Sequence, residues 1–193
     1  MKSIPAPPVP LSQAGRAAHD IGLAGLLGGN LFGRLALHPS VTRISDKSER
    51  GQVVNAAWRR YGAVNSLSLL AVVSGWLGAR VNEAAPRQLS PAERRLALAK
   101  DGLVGAVALS GLATAVQGIK FARQAPGGAV PLEDGAHTAR EATQAQERAK
   151  RRLNALGLFS LAAELGLAGV NAALNQQSFR RPPRRRALPW RRP

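Results

Sequence analysis

Two long stretches of the chain contain no charged residue, and they give the first structural prediction. Residues 62–79 and 102–119 are each eighteen residues dominated by Leu, Val, Ala and Gly. A helix needs about 20 predominantly apolar residues to cross the hydrocarbon core of a bilayer. A helix that is apolar all round also leaves no polar face for water. The two stretches therefore favour membrane-spanning helices over the alternative, the helices of a soluble bundle.

Two further stretches are apolar but interrupted. Residues 21–33 are uncharged and are followed by Arg34, while residues 153–174 contain one charged residue, Glu164. Thirteen residues are too few to cross a bilayer, so the first stretch spans only if Arg34 reaches an interface or finds a partner. We predict an all-α protein that forms a four-transmembrane-helix bundle. The predicted spans are about residues 20–38, 61–80, 101–120 and 153–174.

Local signals mark where the four helices begin and end. Ser12 can cap the first helix, and His38-Pro39 is expected to end it. The caps and acids of residues 45–49 begin the second helix, and Ser90-Pro91-Ala92-Glu93 is a capping box that begins the third. Asp134 is predicted to begin the fourth helix, whose polar first part would project from the membrane.

The two ends of the chain differ from the predicted membrane domain of residues 12–178. Residues 1–11 are rich in Pro, and residues 179–193 contain seven Arg, four Pro and no acid. Neither segment can bury a core, so both are predicted to be disordered. The basic tail has two interpretations, attraction to anionic lipids or contact with nucleic acid or an acidic protein, and lipid attraction is the default. Its arginines are Arg180, Arg181, Arg184, Arg185, Arg186, Arg191 and Arg192.

Charge then bears on the partner and on the orientation. Twenty-seven Lys and Arg against eleven Asp and Glu give a net charge of +16. In a soluble protein this excess indicates nucleic acid, but beside membrane-length apolar stretches it indicates loops at lipid headgroups, so nucleic acid is disfavoured. The segments on the side of the termini hold 14 Lys and Arg, against 12 in the other two loops. We predict a multi-pass protein of the inner (cytoplasmic) membrane with both termini cytoplasmic, because an acid-free basic tail is difficult to translocate.

The two halves of the chain show short similarities. His19-Asp20 at the start of the first span corresponds to Lys100-Asp101 at the start of the third. Val81-Asn82 corresponds in the same way to Val170-Asn171. Such matches suggest two tandem helical hairpins related by an axis along the membrane normal. Runs of Gly, Ala and Leu also align by chance, and the sequence leaves both explanations open.

Glu164 is the leading candidate for a functional residue because it lies near the middle of the fourth span. Ionised carboxylates are costly in hydrocarbon and usually face the interior of a bundle. Glu164 is interpreted either as a proton or cation site or as a structural group that is protonated or paired with Arg34. Arg34 is a pairing or interface residue, or a site for an anionic substrate. The amides of Asn30, Asn65 and Asn154 complete this candidate intramembrane site, although hydrogen bonds between helices also explain them.

Three glycines of the first helix are predicted to serve helix packing. Gly25, Gly29 and Gly33 follow one another at intervals of four residues. Small residues at this spacing let two helix backbones approach closely. The sequence leaves open whether that contact lies within one chain or between two protomers.

The sequence gives little support for metal, cofactor or enzyme chemistry. There is no Cys, and the three His lie at or beyond predicted helix ends, so no metal site or cofactor is predicted. No phosphate-binding loop, nucleophile elbow, zinc-protease motif or dinucleotide fingerprint occurs. Asp20 and Asp101, at corresponding helix starts, are the only hint of a membrane enzyme that acts on a lipid.

A pattern in the first half of the chain carries a family resemblance. The G-G-x-x-F pattern of residues 28–32 precedes His38-Pro39, and the basic, aromatic-bearing stretch of residues 48–65 then leads into an apolar span. Over about residues 22–79 this pattern resembles an uncharacterised group of small four-helix bacterial membrane proteins. The resemblance implies a four-helix membrane fold and little about activity. Arg34 and the Arg-rich tail depart from that group.

These observations lead to an expected function. Packing residues are abundant and catalytic constellations are absent, so we expect a non-enzymatic structural or partner subunit of a membrane assembly. Its expected partners are anionic lipids and either another membrane protein or further copies of itself. The alternative is a small transporter or permeation protein that uses Glu164 and Arg34. A membrane enzyme is the third hypothesis.

Overall fold

A computed structural model describes residues 11–82 and 84–179. Within them the all-α prediction is confirmed, since the chain is helical and has no β-strand, only an isolated bridge between Leu132 and Thr138. The predicted tails, with the seven tail arginines, lie outside the described residues apart from Leu11 and Phe179. The four long helices are α1 (Leu11–Phe32), α2 (Lys47–Val81), α3 (Pro91–Ala122) and α4 (Gln144–Phe179).

Three of these helices are long and apolar enough to cross a membrane. They are α2, α3 and the part of α4 at Gln144–Gln177. α1 is not among them; its apolar run contains Asn30, and Arg34 follows two residues after its end. The structure is therefore consistent with a multi-pass membrane protein, while a fourth span in α1 stays a prediction.

The helices pack in two pairs. α1 lies mainly against α2 and α3 mainly against α4, and smaller contacts of α2 with α3 and of α1 with α4 close the array. This is the pairing expected of two tandem hairpins. The internal duplication itself stays a prediction.

The first helix reaches Leu37, as predicted, but His38-Pro39 does not stop the helical backbone there. After α1 the backbone forms a π-helical turn, Gly33–Leu37, and then two short helical turns, His38–Ser40 and Val41–Arg43. In the π turn the backbone N–H of His38 donates to the carbonyl of Gly33, five residues earlier. Pro39 then lies in the first turn of the next helical segment, where its missing N–H removes no regular hydrogen bond.

The predicted starts of α2 and α3 are confirmed by their caps. Asp46 precedes α2, and its side chain accepts a hydrogen bond from the Glu49 backbone N–H at 2.8 Å. Ser90 and Glu93 form the capping box of α3, in which each side chain bonds the backbone N–H of the other residue. In both places the local sequence signal alone determines where the helix begins.

The fourth helix begins at Gln144 and not at Asp134, so the predicted start is wrong by ten residues. Asp134 instead holds a turn, because its carboxylate accepts hydrogen bonds from the backbone N–H groups of Ala136 and His137. The true start has its own capping box. The Thr143 N–H donates to Gln146 Oε1 at 2.9 Å, and the Gln146 N–H donates to Thr143 Oγ1 at 3.3 Å.

Residues 129–143 form a folded connection between α3 and α4, which we call the cap. The Leu132 N–H donates to the Lys47 carbonyl at 3.0 Å, and the Lys47 ammonium pairs with Glu133 and Glu141 at 3.2 Å each. The Arg50 guanidinium also donates to the Glu133 carbonyl. The cap therefore joins the second hairpin to the first one at one end of the bundle. The small apolar core beneath it consists of Val41, Val54, Phe121, Val130, Leu132 and Ala149.

The helices enclose a mostly apolar core that also contains several polar side chains, and many large apolar residues lie on their outer surface. Lys100, Ser110, Ser160 and Glu164 are among the buried polar side chains. Soluble proteins rarely bury Lys or Glu and rarely expose large contiguous apolar surfaces. An apolar exterior, with the few polar side chains of the helices turned inward, is the distribution that a lipid environment favours. The exposed apolar side chains of the helices include Leu67, Leu70, Leu77, Leu109, Leu112, Val116, Leu158, Phe159 and Leu165.

The glycines of α1 lie against α2 of the same chain. A Cβ at Gly25 would lie 2.4 Å from the Ser68 hydroxyl, and one at Gly29 would lie 2.2 Å from the Tyr61 ring. A Cβ at Gly33 would lie 2.3 Å from the Trp58 ring. The absence of side chains at these three positions is what allows α1 and α2 to pack closely.

The effect of a glycine substitution on the stability of the protein should depend strongly on which way that glycine faces. Gly29→Ala places a methyl group on the Tyr61 ring and disturbs the 2.7 Å hydrogen bond from the Tyr61 hydroxyl to the Gly25 carbonyl. We expect a loss of about 1 to 3 kcal/mol, as for other overpacked sites. Gly28→Ala is the matched control, because no atom lies within 4 Å of its Cβ position. Unfolding in detergent micelles measures both variants, and equal stability of the two would contradict the close contact.

Cap stability should fall in acid because of Asp134. Burial opposes ionisation of Asp134, but hydrogen bonds from the His137 side chain and from the Ala136 and His137 N–H groups outweigh it and lower the pKa of the carboxyl. Because the pKa of Asp134 is lower in the folded cap than in the unfolded chain, the ionised carboxylate stabilises the cap at pH values above the unfolded pKa of about 4. This contribution is lost as the pH falls through the folded pKa. Hydrogen exchange of residues 129–143, corrected for intrinsic rates, should rise below about pH 4. Asp134→Asn should weaken that dependence, and an unchanged profile would refute the assignment.

Candidate functional site

Glu164 lies inside the bundle with its carboxylate held by two other helical residues. Its side chain is 2 % exposed. The Asn30 amide of α1 donates to both carboxylate oxygens, at 2.9 and 3.0 Å, and the Ser160 hydroxyl one turn earlier on α4 donates to Oε1 at 3.1 Å. This group, which we call the Glu164 site, joins α1 to α4 near the middle of the apolar part of α4.

Arg34 lies near the Glu164 site but does not form an ion pair with it. Among the described residues, the guanidinium donates one hydrogen bond, from Nη2 to the Asn154 carbonyl at 3.4 Å. Its buried Nε atom has no hydrogen-bond partner there. Gly157 gives the guanidinium room, since a Cβ at that position would lie 2.9 Å from Nη2. The partner of Glu164 on α1 is therefore Asn30, and the interpretation that Glu164 pairs with Arg34 is wrong.

The other two predicted amides lie apart from this carboxylate. The Asn154 side chain donates to the Ala136 carbonyl at 2.7 Å and so holds the cap to α4. Asn65 is half-buried on α2. Of the five residues predicted for an intramembrane site, the structure brings Asn30 together with Glu164, and it places Arg34 and Asn154 in contact nearer the cap.

A second polar group lies at the opposite end of the bundle, where α2 ends and α3 begins. The Asp101 carboxylate accepts a hydrogen bond from the Trp76 indole N–H at 2.8 Å. Its two oxygens also accept three hydrogen bonds from Nε and Nη2 of the Arg80 guanidinium, at 3.1 Å each. Arg80 donates further to the Ala84 carbonyl at 2.7 Å. These contacts link the two hairpins at the end remote from the cap.

The same end of the bundle also holds a buried lysine. The Lys100 ammonium lies 4.4 Å from the centre of a Trp76 ring and donates to the side-chain oxygen of Asn171 on α4. Asn171 in turn donates to Asp20 of α1 at 2.9 Å. His19 is buried beside Asp20, and its ring nitrogens make no hydrogen bond within the part of the chain that the structure describes. Side chains of all four helices thus meet in one network, which we call the Trp76 network.

The Trp76 network contains residues that the sequence analysis did not assign to a site. Asp20 and Asp101 were predicted only as acids at corresponding helix starts, and no contact with Trp76 or Arg80 was predicted for either of them. A signal was available, because Lys100 directly precedes Asp101 at the edge of an uncharged stretch. The two carboxylates lie at the same end of the bundle, and each is already engaged by a partner in the chain.

Residues 11–82 and 84–179 contain no group of three or more His, Cys, Asp or Glu side chains that could hold a metal ion. No family model matches this chain, and no curated protein or solved structure matches it either. The resemblance to small bacterial membrane proteins therefore stays a prediction.

The hydrogen bonds of the Glu164 site should stabilise the packing of α1 against α4. Asn30→Ala removes two donors from a buried carboxylate. We expect a loss of about 1 to 2 kcal/mol, at the upper end of measured hydrogen bonds between membrane helices. Asn65→Ala is the control, because no hydrogen bond joins Asn65 to Glu164 in the described structure, and its effect should stay within about 0.5 kcal/mol.

A double-mutant cycle isolates this contact. Asn30→Ala and Glu164→Ala should show a coupling energy of about 0.5 kcal/mol or more in detergent unfolding, because each removes the same interaction. Strict additivity of the two substitutions would mean that the contact does not stabilise the protein.

Proposed function

We propose that this chain is a multi-pass membrane protein that acts as a non-enzymatic structural or partner subunit of a membrane assembly. The observation that carries the proposal is that polar groups between the helices bind one another. The Glu164 carboxylate is held by Asn30 and Ser160, and Asp101 is held by Trp76 and Arg80. Polar groups that bind one another between helices stabilise helix packing, and a structural subunit needs polar groups for this use rather than for binding a substrate.

The exterior of the helices supports the same proposal. Leu67 and Leu70 on α2, and Leu109 and Leu112 on α3, are more than half exposed and contribute little to the core of the chain. In a membrane such faces contact either lipid or the helices of another protein. We propose that part of this surface contacts another membrane protein or a second copy of the chain.

The proposed location is the inner (cytoplasmic) membrane, with α1 as a fourth span and both termini cytoplasmic. Support for the fourth span comes from its packing along α2 and from the internal partners of its polar residues, since Asn30 bonds Glu164 and Arg34 bonds the Asn154 carbonyl. Support for the orientation comes from the acid-free Arg-rich tail.

A second candidate function, a small transporter or permeation protein, is favoured by one observation. Glu164 is a buried acid within an apolar helix, and the Nε atom of Arg34 nearby has no hydrogen-bond partner among the described residues. Such groups mark ion or substrate paths in many membrane proteins. Against this candidate, the surface cavities lined by Gln117 and Arg152 and by Lys47 and Glu141 do not reach Glu164.

The proposal predicts a stable assembly in mild detergent. The full chain, solubilised from membranes and purified, should elute with a fixed stoichiometry, as further copies or as a complex with one membrane protein. Light scattering and native mass spectrometry measure that stoichiometry. A chain that elutes only as a monomer, without any other protein, would count against the proposal.

Flux measurements in liposomes separate the two candidates. A structural subunit should give no proton or ion flux above that of empty liposomes, for the wild type and for Glu164→Gln alike. A wild-type flux that Glu164→Gln abolishes would favour the transporter, because glutamine keeps the shape of the side chain but carries no titratable proton.

A further inference from the structure

A groove runs along the outer surface between α3 and α4, towards the end of the bundle that carries the cap. It is shallow and open, with a volume of about 430 Å³. It is lined by Gln117, Arg152, Ala155, Leu156 and Phe159. The lining thus combines one cation and one amide with three apolar side chains.

The polar and apolar parts of the groove lie at different depths. The uncharged stretch of α3 ends just before Lys120, and the apolar stretch of α4 begins just after Arg152. Leu156 and Phe159 follow Arg152 by about one and two helical turns, which is about 6 and 10 Å along α4. The groove therefore has its cation at the expected boundary between water and hydrocarbon, and apolar walls on the side of the hydrocarbon. An amphiphile that lies in a bilayer has the same distribution of polarity.

Arg152 differs from the arginines that precede it on α4. Arg148 donates to Gln144 at 2.9 Å, and Arg151 pairs with Glu147 at 2.9 Å. Arg152 is exposed, and no hydrogen bond or ion pair joins its guanidinium to the described part of the chain. Its positive charge is thus available to an anion at the polar end of the groove. Lys120, also exposed, is a second cation, about one helical turn beyond Gln117 on α3.

We propose that this groove binds a phospholipid with an anionic headgroup. The Arg152 guanidinium and the Gln117 amide donate hydrogen bonds to the phosphate, and an acyl chain lies along Leu156 and Phe159. Arginine suits this role because its fork of N–H groups matches two phosphate oxygens. Charge complementarity at the boundary favours an anionic lipid over a zwitterionic one. The inference rests on the proposed location in a membrane.

Native mass spectrometry of the full chain in mild detergent tests the site. The protein is titrated with phosphatidylglycerol and, separately, with phosphatidylcholine. We expect tighter binding of phosphatidylglycerol and a loss of about fivefold in its affinity for Arg152→Gln, as one basic residue near a membrane surface contributes about 1 kcal/mol. Arg151→Gln is the matched control, since it removes the same charge one position away and should change the affinity little. Phe159→Ala should weaken the binding of both lipids.

Two results would contradict the proposal that this groove binds an anionic phospholipid. Equal losses for Arg152→Gln and Arg151→Gln would mean a general attraction to basic residues, and equal affinity for the two lipids would mean that no anion is selected. Failure of the membrane location itself is measured separately, by whether the wild-type chain stays in the membrane pellet after a carbonate wash. A chain that stays in the pellet but shows no Arg152-dependent lipid binding refutes the groove and leaves the proposed function standing.

Discussion

Hydrocarbon offers no hydrogen bonds, so a polar side chain of a spanning helix must find its partner within the protein. Glu164 illustrates this constraint, because three hydrogen bonds from Asn30 and Ser160 reach its carboxylate inside the bundle. One of these partners comes from α1, the helix with the shortest apolar run. The same contact that satisfies the acid therefore also gives α1 a fixed place against α4. The same rotation of α1 about its axis brings Asn30 to Glu164 and turns Gly25 and Gly29 towards α2.

Helix positions could be predicted from the sequence because they follow from local rules. Apolar length predicted α2, α3 and α4 as spans, and the caps at Asp46 and Ser90 marked two helix starts. The start of α4 was missed, although Thr143 and Gln146 form the same kind of capping box, because Asp134 offered a competing acid upstream. That aspartate caps a turn, and single-residue signals do not distinguish a turn from a helix.

Side-chain partners could not be predicted in the same way. Opposite charges favoured pairing of Arg34 with Glu164, whereas the structure pairs Glu164 with the neutral Asn30. The choice depends on how each helix is rotated about its axis, and helices that are apolar nearly all round carry little information about rotation. The Trp76 network was missed for the same reason, since its members come from four helices and meet only when all of them are packed.

The cap imposes an order on biosynthesis. Lys47 and Arg50, at the start of α2, find their partners in residues 129–143, which leave the ribosome only after α3 has been made. Until then Lys47 lacks its two acid partners, and the apolar patch around Val41 and Val54 is uncovered. An α1–α2 fragment expressed alone would thus retain its glycine contact but would expose a surface that the intact chain conceals.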